Sequence, residues 1–283
     1  MRPWLWTLAI PTAGIAVATS DFSGPARMVL IAASIFIIVK LESLAEFESV
    51  GGSATVWDKV LWFSAWPGLH ASNFFANGNS VPQPSALTWT VAVLQALFGG
   101  VMFFLVAPAV VQQSELAGGW AAMIGIIFLL HFGLLRLIAL TWRKLGRDVL
   151  PIMDSPIQST SLSEFWGRRW NIAFRDFTHT SVFRPIAKRW NTKIATWVSF
   201  IFSGLVHELA ISVPAGAGYG LPLGYFLLQG AGVSLERHAA KRGLPVRGGL
   251  NGWLYTAAFT FPAALFLFHR PFVHNVILPF IPH

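Results

Sequence analysis

The sequence predicts an all-α protein: a polytopic transmembrane helical bundle of about seven or more spans, with a re-entrant or interfacial helix near 163–177. Three observations predict it. Of 283 residues, 54% are hydrophobic and only 11% are charged, whereas ordinary globular chains carry about 25% charged residues. A single water-soluble core of this length could not hide so much apolar surface. The apolar residues also fall in runs that approach the roughly 20 residues needed to cross a bilayer. Finally, the basic residues are clustered: ten of the 20 Lys and Arg lie in 143–193 and four more in 237–247.

Seven spans are read in order: 4–20, 26–46, 87–111, 119–141, 193–213, 220–237 and 252–270. The first follows Arg2 and ends near Ala16-Val17-Ala18. That pattern suits a secretory signal peptide as well as a first span; with a polytopic body behind it, a span is the better reading. The second carries Lys40, Glu42 and Glu46 toward its end. The stretch 47–86 contains Val60-Leu61-Trp62-Phe63-Ser64-Ala65-Trp66-Pro67-Gly68. It is too short to cross and too aromatic for a free loop, so it is expected in the membrane interface.

Two spans separate the basic clusters, which puts both on one side of the membrane. The positive-inside rule makes that side cytoplasmic. The turn 214–219, uncharged and short, then lies on the other side with the C-terminus, and the N-terminus lies inside. The formal charge of +8 is thereby accounted for by orientation, without nucleic acid as a partner. The chain has no cysteine, which excludes disulfides, Cys-ligated metal and thiolate nucleophiles. With no internal repeat and no soluble segment, residues 1–283 read as one integral-membrane domain.

Two places break the apolar pattern. In the span 193–213, His207 and Glu208 sit adjacent within Ser203-Gly204-Leu205-Val206-His207-Glu208-Leu209. Ionisable groups inside spans are costly and mark functional sites by default; a buried hydrogen-bonded feature that only packs helices is the other reading. His131 and Arg136 in 119–141 are weaker cases, read as a helix contact and a snorkelling side chain. The second place is Ser161 to Phe177. Ser161 with Glu164 is a capping box, so a helix begins here. On it Trp166, Trp170, Ala173 and Phe177 form an apolar stripe, with Glu164, Arg168, Asn171 and Arg175 as a polar stripe beside it. Periodicity alone is met by an interfacial amphipathic helix.

Taken together, Phe165-Trp166-Gly167-Arg168-Arg169-Trp170-Asn171, Phe183-Arg184-Pro185 and Ser203 to Leu209 resemble the membrane-bound O-acyltransferase family, in its wax-synthase-like branch. The motif region runs over 160–240, with weaker matches at Trp66-Pro67-Gly68-Leu69, Gln229-Gly230 to Glu236 and Phe268-His269-Arg270-Pro271-Phe272. The resemblance implies an acyltransferase that moves an acyl group from acyl-CoA to the hydroxyl of a hydrophobic alcohol, giving a wax ester or related neutral ester. It implies that His207 is the general base in a tunnel and that Asn171 is the second polar catalytic position.

The chemistry suits these residues. An alcohol must lose its proton as it attacks a thioester, and an imidazole of pKa near 6.5 can take it. An Asn amide can donate to the carbonyl oxygen or orient the nucleophile. The thiolate leaves without help from a metal. Adjacent helical residues point about 100° apart, so Glu208 is not a dyad partner of His207 and takes a structural or tunnel-lining role. His207 lies roughly 20 Å from the start of its span, so Asn171 can reach it only if its helix dips into the bilayer within the protein. Arg168, Arg169, Arg184 and Lys188 are the candidates for the phosphates of acyl-CoA, which is a co-substrate and not a resident cofactor; contact with anionic lipid headgroups is the alternative use of each. Two rival functions remain at this stage: a short-chain O-acetyltransferase acting on a terpenoid or other natural product, and a proton-coupled transporter using His207 and Glu208. The absence of repeated halves weighs against the transporter.

Overall fold

The computed structural model describes residues 21–76 and 81–282, with positions 9, 10, 12, 14 and 17. Among the described residues there is helix and no strand. Among the described residues five helices are long and apolar enough to cross a membrane: Gly24–Ser49, Ala86–Val111, Glu115–Lys144, Thr192–Ala215 and Gly249–Leu267. Seven were expected. Most of the expected first span, 4–20, lies outside the described residues. The expected sixth is a helix, Leu221–Lys241, but Gln229, Ser234, Glu236 and Arg237 interrupt its apolar surface and it is not among the five.

The chain forms two compact units: Phe36–Met153 with Ile277–His283, and Asp154–Val276 with Arg2–Ile35. In the first unit, Ala86–Val111 packs closely on Glu115–Lys144. A Cβ on Gly99 would stand 2.1 Å from the Leu129 backbone nitrogen, so only glycine permits this approach, a frequent device where helices meet in lipid. The stretch 47–86 is not a free loop. It contains the helices Val56–Ala65 and Ala71–Phe75, and its Trp62, Trp66 and Phe74 are buried against Ala139 and Val149. The Trp142 indole N–H donates to the Ala65 carbonyl at 3.0 Å, and Arg147 pairs with Asp58 while donating to the Phe74 carbonyl. Lys40 is fully buried and donates to the carbonyls of Trp62 and Trp66, with its ammonium 3.9 Å from the Trp62 ring centre.

In the second unit, Thr192–His207 lies along Leu221–Lys241, with Gly204 against Leu223. The helix continues past His207 as a π-helical turn, Glu208–Ser212, a wide turn often found at functional sites. The chain then reverses through Gly216, Gly218 and Gly220, all at positive φ. The first backbone N–H groups of a helix have no partner in their own helix. Here Glu208 serves those of Leu221–Lys241: its Oε1 accepts from the N–H of Gly220 and Leu223 at 2.9 and 3.0 Å.

The expected helix over 163–177 starts as the sequence indicated, with the Ser161 hydroxyl accepting from the Glu164 N–H at 3.0 Å. It does not run through. A short α-turn, Leu162–Glu164, passes into a π-helical turn, Phe165–Arg169; the chain then extends at Trp170 and a second helix, Ile172–Thr178, begins. Asn171 sits between them at φ 41°, ψ 61° and caps the second helix, its Oδ1 accepting from the Phe174 N–H at 3.3 Å. Asn is among the few residues that tolerate this left-handed conformation. A periodic stripe therefore concealed a break made by one residue.

Candidate active site

The broken segment and the helix Thr192–His207 enclose a cavity of about 370 Å³. Thr196, Ser199, Ser203 and His207 all line it. Their spacing of three or four residues puts them on one face of the helix, and the eleven steps from Thr196 to His207 span about 16 Å. The cavity therefore has a long polar edge with the imidazole at one end.

The ring of His207 is oriented by its own helix. Its Nδ1 lies 2.7 Å from the Ser203 carbonyl oxygen. A carbonyl only accepts, so Nδ1 carries the proton and donates it. In the neutral ring this leaves the lone pair on Nε2. Aromatic rings hold the imidazole in place: Phe226 is 4.4 Å away between centres, and Phe174 stands edge-on at 6.3 Å.

Asn171 lines the same cavity. The helix it caps carries Phe174, so the left-handed turn at Asn171 also positions a wall of the imidazole site. Trp166 lines the cavity from the π-helical turn and packs on Phe226 at 5.5 Å. Its indole N–H donates to Gln229 Oε1 at 3.2 Å, while Gln229 Nε2 donates to the Phe259 carbonyl at 2.8 Å. Glu236, fully buried, accepts from the N–H of Leu162 and Ser163 and from Arg247 Nε. The cap on the first turn and the clamp on Trp166 thus both come from Leu221–Lys241. The second of the weaker sequence matches, Gln229 to Glu236, is explained by support of the site.

The four basic candidates have other surroundings. Arg168, Arg184 and Lys188 are exposed, and none of the four lines the cavity. Arg169 is engaged with Glu164 at 2.8 Å and donates to the Asp154 carbonyl. The cations on the cavity wall are Arg175 and Arg237. Arg175 pairs with Asp176 at 2.7 Å, and Arg237 donates to the Thr196 hydroxyl at 3.0 Å. Arg237 thereby stands at the end of the polar edge opposite His207. Sequence reasoning placed Arg175 on the polar stripe and gave Arg237 only to sidedness. A second imidazole, His179, also lines the wall and stacks on Phe183 at 5.3 Å. Burial, and then the charges of Arg175 and Arg184, hold His179 below its ordinary pKa, with Asp176 opposing.

Glu208 is occupied by its capping bonds and does not partner His207, in line with the 100° argument. His269 is also a structural group. Its Nδ1 accepts from the Phe272 N–H at 3.2 Å, which puts the ring proton on Nε2, directed at Ser212. Among the described residues no three His, Asp or Glu side chains gather as a metal site would require.

Residues 149–228, which include Asn171 and His207, match the model of the membrane bound O-acyl transferase family. Over this stretch, 80 of the 283 residues, the chain is similar to that family. It is similar to probable long-chain-alcohol O-fatty-acyltransferase 7 of Arabidopsis thaliana, with 31% identity over 147 residues, 46% of this chain and 42% of that one. It is also similar to the long-chain-alcohol O-fatty-acyltransferase of Simmondsia chinensis, 33% identical over 101 residues, 32% of this chain and 29% of the relative. Acyl-CoA–sterol O-acyltransferase 1 of Arabidopsis thaliana is 30% identical over 69 residues, 22% of this chain and 20% of the relative. The matched part is thus less than half the length of each of these relatives. The similarity to this family and the five apolar helices among the described residues support an integral membrane protein.

Proposed function

We propose that this chain is a membrane-bound O-acyltransferase that moves an acyl group from acyl-CoA to the hydroxyl of a hydrophobic alcohol, working as a single acyltransferase domain with His207 as general base and Asn171 lining the same cavity. The observation that carries the proposal is the bond from His207 Nδ1 to the Ser203 carbonyl in a cavity that Asn171 also lines. It prepares Nε2 to accept a proton. In the reaction, Nε2 takes the proton of the alcohol as its oxygen bonds to the thioester carbon. The C–S bond then breaks, and the departing thiolate takes that proton from the imidazolium to leave as free thiol. The Asn171 amide donates to the carbonyl oxygen as negative charge develops on it. The names of the relatives support a long-chain alcohol as acceptor.

The length of the cavity supports the donor. The thirteen bonds between the sulfur of coenzyme A and its nearest phosphate extend roughly 16 Å at ordinary covalent dimensions, similar to the rise from Thr196 to His207. With the thioester at His207, the first phosphate reaches the end of the cavity where Arg237 donates to Thr196. The exposed Arg168, Arg184 and Lys188 form an outer basic collar that steers the polyanion in from the cytoplasmic side, and Arg169 holds the segment that carries Asn171. In this reading 143–193 and 237–247 are cytoplasmic, as the positive-inside rule favours. Incubating purified protein with labelled acyl-CoA and a panel of long-chain alcohols, diacylglycerols and sterols tests the proposal. Ester formed by the wild type and not by His207→Ala supports it, and equal turnover by the two proteins overturns it.

A further inference from the structure

Gly167 has no reason in the fold to be glycine. It lies in the π-helical turn Phe165–Arg169, and its backbone is not in the left-handed region that favours glycine. No neighbour presses on it either: a Cβ built there would meet nothing within 4 Å. By contrast, Gly99, Gly204 and Gly232 are each crowded by a neighbouring element. Glycine inside a helix is destabilising relative to alanine, so this position gives up stability for something other than packing. Gly100 and Gly224 share its freedom, but neither lines the cavity, and Gly167 does. Trp166 and Trp170 line the cavity with it, and the Phe165 ring is stacked on Trp170 at 5.4 Å.

We propose that the missing side chain at Gly167 is a berth for an alkyl chain of the substrate, and that the size of residue 167 sets how long a chain the enzyme accepts. The inference rests on the acyl-transfer reading above and goes beyond it by naming the position that selects among chain lengths. The space at Gly167 is open, and the Trp166 and Trp170 rings that line the cavity with it offer apolar contact. A saturated hydrocarbon chain is the occupant that such a surface favours. Acyl donor and alcohol acceptor both carry one, and the test separates them.

The experiment uses the full chain with Gly167→Ala, Gly167→Val and Gly167→Phe, measuring kcat/KM for a series of acyl-CoA lengths with one alcohol, and for a series of alcohols with one acyl-CoA. The longest substrates should lose roughly fourfold for each methylene that no longer fits, while the shortest keep wild-type rates, and the cutoff should shorten from Ala to Val to Phe. A shift confined to the donor series assigns the berth to the acyl chain, and one confined to the acceptor series assigns it to the alcohol; either supports the proposal. The melting temperature of Gly167→Ala should be unchanged or higher, which keeps misfolding out of the readout. An unchanged profile in the Phe variant, or a loss uniform across all lengths, overturns the proposal. If the wild type esterifies nothing, it is the acyl-transfer reading that fails. The berth is then read separately with a long-chain alkyl diazirine: photolabel on 163–170 that disappears in Gly167→Phe supports it, and label that persists there overturns it.

Discussion

Asn171 has a structural role and a proposed chemical one, which substitution can separate. Its backbone is left-handed at φ 41°, ψ 61°, its Oδ1 caps the helix Ile172–Thr178, and its amide is the proposed donor to the thioester carbonyl. Alanine removes all three properties. Loss of the cap costs about 0.5–2 kcal/mol, and the left-handed conformation costs an ordinary residue about 1–2 kcal/mol. Because Asn itself bears part of that backbone penalty, a total near 2 kcal/mol is expected for Asn171→Ala. Glycine is free of the backbone penalty and loses only a few tenths of a kcal/mol as a cap, so Asn171→Gly should be almost as stable as the wild type. Asp keeps the capping oxygen and tolerates the turn, so Asn171→Asp should also fold. None of the three retains the amide donor, and removing one such donor lowers kcat about 10²–10³-fold. Thermal unfolding of the inserted proteins, alongside esterification rates, reads both quantities. The stability order should be wild type, Asp and Gly together, then Ala, with all three variants similarly slow. Full activity in Asn171→Gly would falsify the donor role, and an Asn171→Ala protein as stable as the wild type would refute the backbone argument.

The remaining expectations concern other parts of the chain. His207→Ala should leave an inserted protein whose kcat falls about 10²–10⁴-fold, while His131→Ala, outside the cavity, stays near wild type; turnover assays at saturating substrate distinguish them. Glu236→Ala leaves the buried N–H groups of Leu162 and Ser163 without their acceptor, at about 1–3 kcal/mol, and should lower both the melting temperature and the activity, because the segment bearing Asn171 starts there. Hydrogen bonds from Thr55 and then Arg147 hold Asp58 below the usual carboxylate range, with burial opposing them. Its contribution to stability is therefore present above about pH 4 and is lost as pH falls through the folded-state value. Asp58→Asn should flatten that acid limb in unfolding measurements between neutral and acid pH. Reporters fused at residues 216 and 245 should give opposite-side signals, with 245 cytoplasmic; the same side for both would overturn the orientation.

Local rules made part of this site legible. The Ser161–Glu164 cap follows from two residues three apart, and the 100° step between neighbours removed Glu208 from catalysis before its capping role was visible. The pairing of Asn171 with His207 needed the family resemblance, since neither residue declares a partner 36 positions away. The break at Trp170–Asn171 was hidden because a π-helical turn and one left-handed residue kept the apolar stripe almost in register. Long-range supports were out of reach altogether. Nothing in the neighbourhood of Trp166 points to Gln229, and nothing near Leu162 points to Glu236. Arg237 was misjudged for a related reason: a basic residue at the end of a helix satisfies the sidedness rule whether or not it also faces a cavity.

The hydrogen bond from His207 to the Ser203 carbonyl bears on how this protein can change. Where a carboxylate orients a catalytic histidine, one substitution of that acid can impose the wrong tautomer, and the basicity of the ring is open to adjustment through the same side chain. Here the orienting acceptor is a backbone oxygen, which every residue at position 203 supplies. No point mutation at 203 other than one that distorts the helix can delete it. The tautomer is therefore inherited with the helix and insulated from sequence drift. The same arrangement removes the handle by which selection would retune the proposed base, so diversification among such proteins should fall on the cavity wall and leave His207 unchanged.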